Sequence, residues 1–497
     1  MSNDTTTPAR VRWARLRFSI IGPLLSAPAE AGDLAPRVTE LAARAWRHPS
    51  THDTIRFSAK TIERWYYTAR NEQDPIRALE RKVPKHAGTH PSVTALVAEM
   101  IRTLRKQHPR WSYKLVADNL VAVGRERPEL GVLPGYATVA RFMKHHGLRK
   151  HRRPRRHEQE PGFVPRERRL FEVAHVHGLW HCDFHDAKRK VLCRSGERAQ
   201  VTLFTVLDDH SRLCCHAQWY VGDGNTCSFV HGLCQAFQKR GLPRALLSDN
   251  GSPMLAAETR EGLERLSIEH HTTLSQTPEQ NGKQEVFFAS VEGRLMAMLE
   301  GELELTLELL NRATQAWVEQ EYQRHLHSET KQTPLERWLA GPSVARPCPS
   351  SDELRRAFRM EVTRKQRTSD GTITVEGVRY EIPSLYRTLV RPTVRVARWD
   401  LSSLDLVDPR RGTHLATLLP VDRERNADRR RRALVDPAVA TDPAPAPAPV
   451  GIAPLLRQLM AEYAATGLPP AYVPHDSTAD RDDRDDDNEN HNHEEKP

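Results

Sequence analysis

Three acidic residues stand out in this 497-residue chain because of the segments around them. Asp183 lies within Trp-His-Cys-Asp-Phe-His, which is typical of a β-strand, and Asp249 closes the apolar run Arg-Ala-Leu-Leu-Ser-Asp. Glu285 follows Gln-Asn-Gly-Lys-Gln near the start of a helical stretch, and 35 residues lie between it and Asp249. If these acids converge in the fold, their negative charges require cations among them.

The ligand type indicates the chemistry of such a site. Carboxylate oxygens are hard donors that suit Mg²⁺ or Mn²⁺, and two such ions suit in-line attack on a phosphodiester. We therefore predict that Asp183, Asp249 and Glu285 are the catalytic residues and hold two metal ions, in an enzyme that cuts and joins DNA. Each acid alone is more simply explained as a strand-end or helix-surface carboxylate. Their context, order and spacing together favour the site.

Other acids compete for the same role. Asp208 and Asp209 stand at the end of a predicted strand, but their Asp-Asp-His-Ser-Arg context is more typical of a hairpin turn capped by side chains. Glu279 and Glu292 are alternatives to Glu285, and Glu292 shares its helical face seven residues further on.

Histidine and cysteine usage gives no metal site of its own. We expect His181 and His185 on the strand face opposite Asp183, in structural or DNA-facing roles. None of the seven cysteines forms a C-x-x-C pair, which argues against zinc and for reduced thiols in a cytosolic protein. No apolar run is long enough to span a bilayer. We expect a protein of the bacterial cytosol or nucleoid.

The charge distribution favours a polyanionic partner. The chain has a formal net charge of +10, but residues 475–497 carry −7, so that the preceding residues carry +17. A basic body of this size favours nucleic acid, with a solvated basic surface as the alternative.

The length and the pattern of apolar residues indicate a multidomain α/β protein. Three consecutive strands followed by alternating helices and strands predict a ribonuclease H-like core. The predicted segments are an N-terminal extension (1–32), two helix-turn-helix DNA-binding domains (33–82 and 88–148), a basic linker (149–164), the ribonuclease H-like core (165–342), a small β-barrel (352–420), a basic and then Pro/Ala-rich linker (421–450), an amphipathic helix (451–474) and an acidic disordered tail (475–497).

Candidate DNA-binding residues are cations on the outer faces of the predicted helices, in the basic linker, or beside Glu285. They are Lys60, Arg64, Arg141, Lys144, Arg149, Lys150, Arg152, Arg153 and Lys283. A plain helical bundle remains the alternative to the helix-turn-helix domains.

Several segments carry a resemblance to a known family. They are Trp180–Phe184, Asp-Asp-His-Ser-Arg (208–212), Leu-Ser-Asp-Asn-Gly (247–251), Gln-Asn-Gly-Lys-Gln-Glu (280–285), Tyr322 with His325 and His327, and Thr-Pro-Leu-Glu-Arg-Trp (333–338). Residues 165–342 thereby resemble the catalytic core of DDE transposases and retroviral-type integrases. The wider layout is similar to the phage Mu transposase type. Val286 departs from the pattern, since many relatives have a charged residue after the catalytic Glu.

The resemblance implies a Mg²⁺-dependent polynucleotidyl transferase of a mobile element. Such an enzyme cleaves DNA at transposon ends and transfers the freed 3′-hydroxyl into target DNA. The implied partners are double-stranded DNA, further copies of the chain, and an AAA+ ATPase that docks on residues 451–474. That helix could instead pack back on the barrel. A regulator with an inactive core and a structure-selective nuclease are the alternative functions.

Overall fold

The computed structural model describes residues 8–27, 32–49, 53–81, 89–148, 172–273, 282–422 and 451–475. The chain divides into two compact units, Met1–Pro91 and Ser92–Pro497. The predicted basic linker, nearly all of the Pro/Ala-rich linker, and the acidic tail beyond His475 lie outside the described residues. None of the described helices is both long and apolar enough to cross a membrane.

The first unit is mainly helical. Its apolar core joins Ile20 and Leu24 of the first helix to Ile62 and Trp65 of the third. The sequence predicted no element within residues 1–32, so the first helix is an addition to the predicted domain. The elements are α1 (Ala9–Ser26), α2 (Leu34–Ala43), β1 (Trp46–Arg47), β2 (Thr54–Ile55), α3 (Ala59–Ala69) and α4 (Pro75–Ala78).

Three helices fill the segment predicted as the second helix-turn-helix domain. They are α5 (Ala95–Gln107), α6 (Tyr113–Glu126) and α7 (Tyr136–His145). Thr94 and Ser112 cap the first two, because each side chain accepts a hydrogen bond from a backbone N–H of the first turn. Val139, Phe142 and Met143 of α7 are buried. The helix-turn-helix assignment itself stays a prediction.

A five-stranded mixed sheet forms the centre of the second unit. Its strands are β3 (Leu179–Asp186), β6 (Val201–Asp208), β7 (Cys214–Val221), β8 (Ala245–Ser248) and β9 (Glu269–Thr272), with the short pair β4 (Val191–Leu192) and β5 (Arg198–Ala199) beside it. The order is β7-β6-β3-β8-β9. β3, β6 and β7 pair antiparallel, whereas β3, β8 and β9 run parallel. This is the predicted ribonuclease H-like fold.

Helices cover both faces of this sheet. On one face, Phe204 packs with Phe229 and Phe237 of α8. On the other face, Leu203 and Trp219 share a core with residues of α11 and α13. The helices are α8 (Thr226–Arg240), α9 (Ser252–Leu255), α10 (Ala257–Arg265), α11 (Gly282–Ser290), α12 (Met296–Met298), α13 (Leu307–Gln320), α14 (Pro334–Ala340) and α15 (Ser351–Ala357). Residues Val291–Leu295 form a π-helical turn between α11 and α12. Because both faces are covered, every residue of β6 is buried.

Short antiparallel strands follow the core. They are β10 (Met360–Thr363), β11 (Thr372–Val375), β12 (Val378–Glu381), β13 (Thr393–Ala397), β14 (Asp400–Val407) and β15 (His414–Leu418). Four of them form the sheet β10-β13-β14-β15, and β11 pairs with β12. Val375, Tyr380, Val394 and Leu404 belong to one core that the two sheets share. The small β-barrel in this region stays a prediction.

The last described helix, α16 (Pro454–Ala465), packs into the second unit. Leu456 and Leu459 are buried in the core that α6 and α13 also supply. Leu455 N–H donates to Asn119 of α6 (3.1 Å), and Gln315 of α13 donates to Tyr463 (2.9 Å). The apolar stripe that was predicted as a docking surface is therefore covered by this chain itself, away from the strands of residues 360–418.

Candidate active site

Asp183 lies within β3, and Asp249 directly follows the neighbouring parallel strand β8. The parallel register pairs Leu179 with Ala245 and His181 with Leu247. Asp183 follows His181 by two residues along β3, and Asp249 follows Leu247 by two residues, just beyond the end of β8. Neighbouring strands are about 5 Å apart, so the fold brings these two predicted residues together.

Local hydrogen bonds orient both carboxylates. Asp183 Oδ1 accepts from the backbone N–H of Phe184 (2.8 Å), and Asp249 Oδ1 accepts from the N–H of Gly251 (3.0 Å). Both residues are half-buried. Burial raises the pKa of the Cys182 thiol well above its usual value, and the charges of Asp183 and Asp249 raise that pKa further. Both negative charges therefore act on one buried group between them.

The helix that carries Glu285 packs on the face of β3 that carries Asp183. Gln284 donates to the carbonyl oxygen of His181 (2.9 Å), and His185 stacks on Phe288 with ring centroids 4.6 Å apart. Residues two apart in a strand point to the same side, so His181 and His185 share the face of Asp183. The expectation that they lie on the opposite face is wrong, because side chains in a strand alternate between faces and residues 181, 183 and 185 are two apart.

Glu285 itself is exposed on the first turn of α11. Among the residues that the structure describes, no three His, Cys, Asp or Glu side chains are arranged to hold a metal ion. The fold thus gathers Asp183 and Asp249, whose oxygens suit Mg²⁺ or Mn²⁺. The place of Glu285 as the third ligand stays a prediction. Glu292 contacts His185 Nε2 (3.1 Å), and Glu279 lies outside the described residues.

Asp208 caps a turn, as predicted. Its Oδ1 accepts from the N–H (2.8 Å) and the hydroxyl (2.6 Å) of Ser211, and its Oδ2 accepts from the N–H of His177 (2.8 Å). These bonds tie the end of β6 to the residues that lead into β3. The sequence signal for this role was the turn motif itself.

Asp209 belongs to a buried polar group that sequence reasoning missed. It accepts hydrogen bonds from His181 Nε2 (2.7 Å), from the N–H of Val173 (2.8 Å) and from Lys283 Nζ. Burial alone would raise the pKa of Asp209, but the bonds from His181 and Lys283 outweigh it and lower the pKa well below its ordinary value. Asp209 is therefore a charged, paired carboxylate inside the protein.

Lys283 was predicted to contact DNA, and in the structure its ammonium pairs with Asp209. Burial lowers the pKa of Lys283, and Asp209 opposes that shift. The DNA contact of Lys283 stays a prediction.

The other predicted DNA-binding residues fall into two groups. Lys60 and Arg64 are exposed on α3, and Arg141 and Lys144 are exposed on α7. The linker residues lie outside the described part of the chain; they are Arg149, Lys150, Arg152 and Arg153.

Residues 174–278 match the family described as the integrase core domain. The matched range includes Asp183 and Asp249 and ends before Glu285. It also contains all five strands of the main sheet. These residues therefore form a catalytic core of the integrase and transposase type, as the resemblance implied. The match suggests DNA integration or transposition in general.

Solved structures of retroviral integrases also match. The HTLV-2 integrase catalytic core domain in complex with magnesium (trimeric form) is 19% identical, with 34% of this chain and 99% of that chain covered and a TM-score of 0.26. The catalytic core domain of BIV integrase is 18% identical, with 33% of this chain and 94% of that chain covered and a TM-score of 0.25. The simian T-cell lymphotropic virus intasome in complex with PP2A regulatory subunit B56 gamma is 12% identical. The match covers 61% of this chain and 96% of that chain, with a TM-score of 0.31. Because these TM-scores are below 0.5, the assignment rests on the family match and the strand order.

Proposed function

We propose that this protein is a DNA transposase or integrase that cleaves transposon ends and transfers the resulting 3′-hydroxyl into target DNA. One observation supports this proposal above the others. Two carboxylates, Asp183 within β3 and Asp249 just after β8, lie on neighbouring parallel strands in a core of the integrase type. An inactive core used only for DNA binding has no need of this pair.

Asp183, Asp249 and Glu285 are the residues that would hold Mg²⁺ or Mn²⁺. When bound, a pair of such ions supplies Lewis acidity and a nucleophile for phosphodiester chemistry. The chain's own residues orient the site: the N–H groups of Phe184 and Gly251 hold one oxygen of each aspartate. Glu285 would approach this face from the first turn of α11. No Ser or Tyr nucleophile is part of this proposal.

DNA contacts would come from cations outside the acidic pair. Exposed Lys60, Arg64, Arg141 and Lys144 are placed on helical surfaces where phosphate contacts can form. The basic linker and Lys283 would add to these contacts.

Assembly is proposed from chemistry and from relatives. Two transposon ends must be joined in a coordinated way, which favours a homo-oligomer, and the matching integrase structures include dimeric and trimeric forms and an intasome. An AAA+ ATPase partner at residues 451–474 is retained as a proposal. Because Leu456 and Leu459 are buried, such a partner would contact the exposed side of α16 rather than its apolar stripe.

The decisive variant is Asp249→Asn, which removes a charge and keeps the shape. We expect loss of cleavage and strand transfer by more than about 100-fold, since changes outside the ligand shell already cost 10–100-fold. The substrate is the DNA that flanks the gene, assayed with Mg²⁺, and DNA affinity should stay unchanged. Asp223→Asn, at an exposed position, is the matched control. A fully active Asp249→Asn protein means that the wrong acids were chosen.

A further inference from the structure

Between the strand of Asp183 and the helix of Glu285 lies a set of buried polar side chains. Thr205 is the cross-strand neighbour of Asp183 in the register of β3 and β6. Its hydroxyl donates to Gln284 Oε1 (2.9 Å) and lies 3.5 Å from the carbonyl oxygen of Asp183. Gln284 in turn donates to the carbonyl oxygen of His181. Thr205 and Gln284 are both 0% exposed.

A second connection runs in parallel to the first. Asp209, also 0% exposed, accepts from both His181 Nε2 and Lys283 Nζ. Strand residue 181 is thus tied to helix residues 283 and 284 by two separate routes. These helix residues directly precede Glu285, and residue 181 stands two positions before Asp183.

Buried polar groups of this kind are costly unless each is satisfied, so that they define one arrangement of the elements they join. An apolar contact between α11 and the sheet would tolerate sliding or rotation of the helix. The hydrogen bond that Gln284 accepts from Thr205 and the one that it donates to His181 oppose such movement of the helix.

We propose that Thr205, Gln284, His181, Asp209 and Lys283 form a strand–helix clamp that positions Glu285 relative to Asp183 for metal binding. The inference rests on the proposed function, in which these two acids share metal ions. The five residues are positioning residues: they act through the backbone of β3 and α11 and do not touch the ions. Lys283 alone among them is also proposed to contact DNA. Glu285 follows the clamp by one residue, so a shift of the helix start moves it directly.

The test compares Thr205→Val and Gln284→Met with Gln235→Met in the full-length protein. Gln235 is a matched control, because it is also buried and hydrogen-bonded to another glutamine, Gln218 (2.7 Å), on the other side of the sheet. Four quantities are measured for each variant: Tm, the affinity for Mn²⁺ alone by electron paramagnetic resonance, DNA affinity, and cleavage rate.

We expect Thr205→Val and Gln284→Met to bind Mn²⁺ about 10-fold more weakly and to cleave correspondingly more slowly. DNA affinity should change less than about twofold, because the two substituted residues, Thr205 and Gln284, are fully buried and are not among the proposed DNA contacts. Thr205→Ser keeps the hydroxyl, so its Mn²⁺ affinity and cleavage rate should be close to those of the wild type. Gln235→Met should lower Tm to a similar degree while Mn²⁺ affinity and cleavage stay at the wild-type level.

Two results separate the inference from the function it rests on. If Thr205→Val and Gln284→Met have the same Mn²⁺ affinity and cleavage rate as Gln235→Met at an equal loss of Tm, the clamp is merely structural. The inference is then overturned. Asp183→Asn serves as the reference. If it keeps wild-type Mn²⁺ affinity and activity, the proposed function fails, and the inference fails with it.

Discussion

At the scale of single residues, the fold treats its carboxylates in two different ways. Asp209 is fully buried, the Lys283 ammonium pairs with its charge, and His181 forms a hydrogen bond with it. Asp183 and Asp249 are half-buried, are held by backbone N–H groups, and act together on the Cys182 thiol. The charge of Asp209 is paired within the protein, whereas a cation bound at Asp183 and Asp249 would reduce the repulsion between two neighbouring carboxylates.

Asp209→Asn should destabilise the protein by about 3 kcal/mol at neutral pH, because it leaves the ammonium of Lys283 buried beside a neutral amide. The folded-state pKa of Asp209 lies below its unfolded value. The stabilisation is therefore fully present above the unfolded pKa of about 4 and is lost as the pH falls through the folded pKa.

Urea unfolding of both proteins between pH 3 and pH 8 measures this difference in the free energy of unfolding. It should be constant from about pH 5 upwards and shrink below about pH 4. Asp223→Asn, at an exposed position, should change the stability by less than about 0.5 kcal/mol. A difference that grows as the pH falls would contradict the charged pairing of Asp209.

At the scale of elements, the site depends on the register of β3 with β8 and on the packing of α11. The pairing of the two strands follows from the predicted ribonuclease H-like fold, although β3 continues past Asp183 to Asp186. The placement of α11 does not follow, because it depends on hydrogen bonds between residues as distant as Gln284 and Thr205. Glu285 is therefore predictable as a candidate from its spacing but not as a neighbour of Asp183.

The helix α16 illustrates the same limit. The amphipathic pattern of this helix was visible in the sequence, but such a pattern does not reveal which element packs against the apolar face. In the structure α6 and α13 pack against it, and both lie more than 100 residues away in the chain. The helix is thus a structural part of the second unit, and its removal would expose the core that these helices share.

Leu456→Ala should cost about 3 kcal/mol, since it removes a fully buried side chain and leaves a cavity against α6 and α13. Thermal unfolding measures the loss. Leu468→Ala is the matched control, because Leu468 is 63% exposed and its truncation should cost less than about 0.5 kcal/mol. Equal stability of the two variants would mean that α16 is not part of the folded core.

At the scale of the whole molecule, the chain joins an integrase-type core to basic helical segments before it and a β-rich segment after it. The order of these parts was predictable from periodicity, charge runs and turn residues along the chain. The clamp around Asp209 was not, because each of its members has an ordinary surface explanation when it is seen alone. Only the folded arrangement shows that the residues before Glu285 are bound to the strand of Asp183.

The central claim is that Asp183 and Asp249 hold a divalent ion together. Anomalous diffraction from crystals soaked in Mn²⁺ tests it most directly. We predict a peak within coordination distance, about 2.2 Å, of oxygens from both carboxylates, and its disappearance in Asp249→Asn crystals. Mn²⁺ bound elsewhere, or a peak that persists in that variant, would contradict the account.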